Sequence, residues 1–64
     1  MMVKHDKDNE TGVWYREIVF RNYKRLAQLR CEYEAKGFKT WLNLWNSDKN
    51  EWLLTIEMGV NYAK

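Results

Sequence analysis

The chain has no proline, one cysteine and one histidine in 64 residues, and each scarcity removes a class of protein. A single thiol, Cys31, cannot close an internal disulfide. One cysteine with one histidine, His5, cannot supply the ligand spacing of a zinc module. No uninterrupted apolar run exceeds three residues, as in Ile18-Val19-Phe20. That is far too short for a membrane-spanning helix or the apolar segment of a signal peptide. There is no glycine-rich phosphate loop, no RNP-type aromatic motif, no helix-turn-helix spacing and no internal repeat. With no export signal and a lone thiol, a cytoplasmic location and no membrane association are expected.

Strong charge of either sign is missing as well. The net charge is +2, and it is unevenly spread. Residues 1–11 carry Lys4 and Lys7 against Asp6, Asp8 and Glu10. Residues 12–37 carry Arg16, Arg21, Lys24, Arg25, Arg30 and Lys36 against Glu17, Glu32 and Glu34. The middle of the chain is therefore mildly basic, well short of the dense patches of duplex-DNA binders. What remains is the composition of a folded protein, 45% hydrophobic with four Trp, four Tyr and two Phe. A domain of this size buries only about 60% of its unfolded surface. Its core nets no more than roughly 3–5 kcal/mol without a staple. With disulfide and metal excluded, oligomerisation or partner binding is the remaining common route to stability.

Residues 1–11 are polar, of mixed sign and aperiodic, and are expected to form a disordered N-terminal arm. A single domain is expected over 12–59, followed by a C-terminal tail, 60–64. After Gly12, the run Val13-Trp14-Tyr15-Arg16-Glu17-Ile18-Val19-Phe20 is dominated by β-branched and aromatic residues and predicts a strand. Asn22 predicts the cap of a helix from Tyr23 to Lys36, with Leu26, Leu29 and Tyr33 on its apolar side and Gly37 at the C′ position. Residues 38–58 then read strand, turn, strand, with Asn46-Ser47-Asp48-Lys49-Asn50 as the turn. The expected fold class is α+β: a βαββ domain whose three-stranded sheet, in order 1-3-2, carries one helix on one face. An alternative is one long helix over 13–36 plus the C-terminal hairpin, since Tyr15, Ile18, Val19, Asn22, Leu26, Leu29 and Tyr33 also form a helical stripe. That helix would begin on poor helix formers and leave Trp14, Phe20 and Tyr23 off the stripe.

The hairpin is the most informative segment. Pairing Trp45 with Glu51 places Phe38, Thr40, Leu42 and Leu44 opposite Met58, Ile56, Leu54 and Trp52 on one face, a core face. It places Lys39, Trp41, Asn43 and Trp45 opposite Glu57, Thr55, Leu53 and Glu51 on the other, with no like charges opposed. Two Trp and a Leu on a face that one helix cannot cover mark a contact surface. The strand at 13–20 adds to it either Val13, Tyr15 and Val19 or Trp14, Ile18 and Phe20. The candidate binding residues are therefore Trp41, Asn43, Trp45, Leu53 and Lys39. The competing structural reading is that the N-terminal arm or Tyr62 folds over the tryptophans and makes them ordinary core.

Arg21, Lys24, Arg25 and Arg30, near the start of the helix, are candidate contacts for an anion or phosphate; the competing reading is a solvated helix face. Cys31 has no base near it in sequence, and His5 beside Asp6 and Asp8 is a weak metal set on an arm. Nothing forces Glu32, Glu34 or Glu57 into one pocket. No catalytic residue, metal site or cofactor is expected, and the chain is not expected to be an enzyme. The expected role is a non-catalytic binding or modulator protein working by protein–protein contact, as a homodimer or docked on a larger protein. In scale it resembles accessory proteins of phages and mobile elements. The alternative is a single-stranded nucleic-acid binder that stacks bases on the same aromatic face and guides the backbone with the basic helix end.

Overall fold

The computed structural model describes residues 1–60 and Tyr62. Four strands and one helix follow in the order β1 (Met2–Lys7), β2 (Trp14–Phe20), α1 (Tyr23–Ala35), β3 (Thr40–Asn46) and β4 (Glu51–Gly59). The strands form one antiparallel sheet in the order β1-β2-β4-β3, with α1 resting on β3 and β4. The α+β class is as expected. Within it β2, β4 and β3 take the order expected of three strands, and the single-helix alternative over 13–36 is overturned by β2.

The strand count is corrected from three to four, because Met2–Lys7 is not a disordered arm but an edge strand. It pairs with β2 from Met2 opposite Val19 to Lys7 opposite Trp14. All six of its residues are exposed, so it lacks the alternation that burial imposes on a sequence. Hydrogen bonds to β2 hold it, and a hydropathy pattern does not report those. The connection back to β2 is tight: the Asp8 amide donates to the Val13 carbonyl at 2.8 Å and Gly12, at φ +76°, donates to the Asp8 carbonyl at 2.7 Å. Of the expected tail, Val60 and Tyr62 are described, and residues 61, 63 and 64 lie outside the described residues.

Local chemistry accounts for the helix. The Asn22 side chain, in an extended backbone conformation, accepts the Arg25 amide at 3.1 Å. That satisfies one of the orphan donors of the first turn. At the other end Gly37 takes φ +92° and its amide returns to the Glu34 carbonyl at 2.9 Å. Asn50 closes the β3–β4 turn with φ +53°, while the Asn46 side chain accepts the Asp48 and Lys49 amides.

The core lies between α1 and the inner face of the sheet. Leu26, Leu54 and Ile56 are fully buried and Ile18 nearly so. Phe20, Leu29, Tyr33, Phe38, Leu42, Trp52 and Met58 pack around them. Burying a Leu or Ile side chain contributes about 1.5–3 kcal/mol each. Tyr23 meets Trp52 edge-on, ring centroids 4.7 Å apart, and so closes the open end of the core. Leu44 shares this face opposite Trp52 but stays 52% exposed. Among the described residues, no helix is long and apolar enough to cross a membrane.

Candidate functional site

The hairpin register is the expected one from Thr40 opposite Ile56 to Leu44 opposite Trp52. Directly paired residues share a face, so the ladders assemble the outer face in rows. Asn43, Leu53, Val19 and Met2 form one row, and Trp41, Thr55, Glu17 and Lys4 the next. Tyr15, Glu57 and Asp6 form the third. Lys39 lies just before β3, its carbonyl taking the Glu57 amide at 3.0 Å, and its side chain is exposed.

One detail of the register differs. Trp45 does not oppose Glu51 alone: the ladder shifts after Leu44, and Asn46 is the registered partner of Glu51. Two residues of β3 thus face one of β4, which is a β-bulge. Trp45 is 57% exposed. It borders a cleft of about 680 Å³ shared with Met2, Val19, Arg21, Lys49 and Glu51. Val19, although on the outer face, is only 8% exposed and forms part of the lining.

The outer face therefore collects what the sequence placed there and more. Trp41 remains 44% exposed and Met2 55%. Tyr15 leans toward Trp41 across β4, ring centroids 6.4 Å apart at 58°. Of the two residue sets open to β2, the structure selects Tyr15 and Val19. Met2 is not assigned by the sequence, whose first eleven residues carry the pattern of an arm. The signal for Tyr15, Glu17 and Val19 was the plain alternation of β2, which could not say which parity faced out.

Met1 and Met2 line the Trp45 cleft, but Trp41 and Trp45 stay exposed. The N-terminal segment lies beside β2, in the plane of the sheet. Tyr62 turns to the helix side, stacking on His5 at a 5.3 Å centroid distance. There Arg16 gathers three neutral acceptors. Its Nε donates to His5 Nε2 at 3.0 Å, one Nη to Tyr62 at 2.9 Å and the other to Tyr33. Burial works against the charge of Arg16, but the Tyr62 and Tyr33 hydroxyls offset it and hold its pKa above the usual arginine value.

Electrostatics distinguish the outer face. It carries Lys4 and Lys39 against Asp6, Glu17, Glu51 and Glu57. Lys4 bridges to Asp6 at 3.3 Å. The Asp6 side chain, with burial behind it, pushes the Glu17 carboxyl above the ordinary glutamate range. Asp6 in turn is lowered by hydrogen bonding to Glu17 and Lys4.

The basic residues do not form one set. Arg21, Lys24 and Arg25 are exposed at the entry to α1, and Arg21 reaches the Trp45 cleft. Arg30 lies farther along the helix, bridged to Glu34 at 2.7 Å and within 3.3 Å of the Thr40 hydroxyl. Cys31 is exposed. His5, with one nitrogen accepting from Arg16 and in contact with the Tyr62 hydroxyl, is engaged structurally. No group of three or more metal-ligating side chains occurs among the described residues. No family model, curated protein or solved structure matches the chain, so its function must be argued from this surface.

Proposed function

We propose that the chain is a non-catalytic binding protein that acts by protein–protein contact, with itself or docked on a larger protein, through the outer face of its sheet. One observation supports this above the others. Met2, Tyr15, Val19, Trp41, Trp45 and Leu53 converge on the single face that α1 does not cover. Trp and Tyr are the side chains that most often dominate protein interfaces. Carboxylates and two lysines scattered among them keep such a surface soluble until it is occupied. The test is a pairwise comparison of wild type with Trp41→Glu. Wild type should form a specific complex, with itself or with another protein, that the substitution weakens by about tenfold or more. No self-association, and no protein held preferentially by wild type, would overturn the reading.

A second reading has one observation in its favour: Trp45 shares its cleft with Arg21 and Lys49, alongside one carboxylate, Glu51, an aromatic near two cations such as single-stranded nucleic acids use. The excess of carboxylates on the rest of the face argues against a long backbone track. Oligonucleotides that quench tryptophan emission, with an affinity that falls as salt rises, would favour it; no quenching at low salt removes it.

A further inference from the structure

We infer that the chain pairs with a second copy of itself, edge to edge through β3, about a two-fold axis at Asn43. The inference rests on the protein-contact reading and names its partner.

Among the described residues, strand β3 bounds the sheet and pairs only with β4. Its other side presents unpaired backbone N–H and C=O groups, the template to which strands add. Edges are normally guarded by charge or proline. The opposite edge, β1, follows that rule with Lys4, His5, Asp6 and Lys7. The sequence of β3, Thr40-Trp41-Leu42-Asn43-Leu44-Trp45-Asn46, has neither charge nor proline in its seven residues.

Its central five residues, Trp-Leu-Asn-Leu-Trp, also read the same in both directions. A strand paired antiparallel with its own copy must have a two-fold axis, and residues equidistant from that axis face each other. With the axis at Asn43, Trp41 faces the partner's Trp45, Leu42 faces the partner's Leu44, and the two Asn43 amides meet. Every pair is like with like, and none opposes a charge. The bulge at Trp45 and Asn46 touches only the outermost pair of this register and leaves Leu42, Asn43 and Leu44 regular.

The pairing also accounts for side chains that the fold leaves open. Leu44, 52% exposed on the helix side, gains Leu42 of the second copy. Tyr23, 47% exposed at the start of α1, lies on the same flank, over Trp52. Because α1 rests on both β3 and β4, the pairing brings the helices of the two copies onto the same side of the joined sheet, one on each side of the two-fold axis. The result is a continuous eight-stranded sheet whose outer face carries both Trp41–Trp45 pairs side by side.

Sedimentation and disulfide trapping together test this. Wild type should be dimeric at micromolar concentration. Leu44→Lys, at an exposed position off the outer face, should be a folded monomer by circular dichroism and sedimentation. Leu53→Lys, on the outer face and away from the edge, should remain a dimer. In a Cys31→Ser background, Asn43→Cys should form a disulfide-linked dimer in air at least tenfold faster than Thr55→Cys, a reading that does not depend on Leu44→Lys folding. A dimer that survives Leu44→Lys but is lost in Leu53→Lys associates face to face, which overturns the edge pairing and keeps the protein-contact reading. A monomeric wild type at sub-millimolar concentration overturns the second copy as partner; the contact reading then stands or falls on whether Trp41→Glu loses a protein that wild type retains.

Discussion

The two faces of this sheet carry similar loads of large apolar side chains and meet different fates. The inner face has Ile18, Phe20, Leu42, Trp52, Leu54, Ile56 and Met58, and α1 covers most of it. The outer face has Met2, Tyr15, Val19, Trp41, Trp45 and Leu53, and among the described residues no helix packs on it. The difference between them is charge. Around the outer aromatics stand Lys4, Asp6, Glu17, Lys39, Glu51 and Glu57, whereas the buried centre of the inner face has none. Apolar content alone does not separate a core from a contact surface; interleaved charge does, because a buried unpaired charge is intolerable and an exposed one is cheap. The two edges repeat the lesson: β1 is guarded by charge, and β3 is bare.

The sharpest break in that comparison is a cavity. Leu54→Ala empties a fully buried position and should cost about 2–5 kcal/mol, comparable to the whole stability of so small a domain. Thermal melting by circular dichroism should show it largely unfolded. Next comes a pair of tryptophans. Trp52→Ala strips the edge-on contact with Tyr23 and part of the core; being only half-buried, Trp52 should cost less than the roughly 3–5 kcal/mol of an enclosed Trp. Trp45→Ala, on the outer face, should change stability by no more than about 0.5–1 kcal/mol. If Trp45→Ala melts the protein and Trp52→Ala does not, the contact face has been assigned to the wrong side.

A smaller effect tests the helix that makes the faces unequal. Asn22→Ala removes its cap and should lower stability by about 1 kcal/mol, visible as a shift in the urea midpoint. The smallest effect lies within the outer face and is a matter of pH. Glu17 holds its proton more tightly in the folded chain than in the unfolded one, so its contribution is present at low pH and lost as pH rises through its raised pKa. Asp6, lowered, contributes above the ordinary aspartate value and loses that as pH falls. Wild-type stability should therefore peak in mildly acidic solution, between the two shifted carboxyls, and decline toward neutrality. Glu17→Gln should flatten the decline; a midpoint that falls equally in both proteins between mildly acidic and neutral pH would show that the pair is not coupled.

Much of the fold was legible because local rules and burial agreed. Asn22 and Gly37 mark the helix ends through capping and a left-handed backbone. The hairpin register follows from setting Leu42 and Leu44 opposite Leu54 and Trp52 while opposing no like charges. The location of Trp41, Asn43, Lys39 and Leu53 on the outer face came with that register. Strand β1 was not legible, because it is exposed on both sides and its residues record no burial. Nor was the grouping of Arg21, Lys24 and Arg25 without Arg30: the Arg30–Glu34 pair is local to the helix, but only the packing of α1 on β3 adds Thr40 to it.

By itself, then, the sequence determines the class of this protein, its helix, its hairpin and the palindrome at its bare edge, because these depend on neighbours a few residues apart. The tertiary structure decided which parity of β2 faces outward, that Met2 and its strand extend the sheet, and that Trp45 sits in a bulge beside a cleft. Those outcomes depend on which strand lies next to which, and no local pattern carries that information.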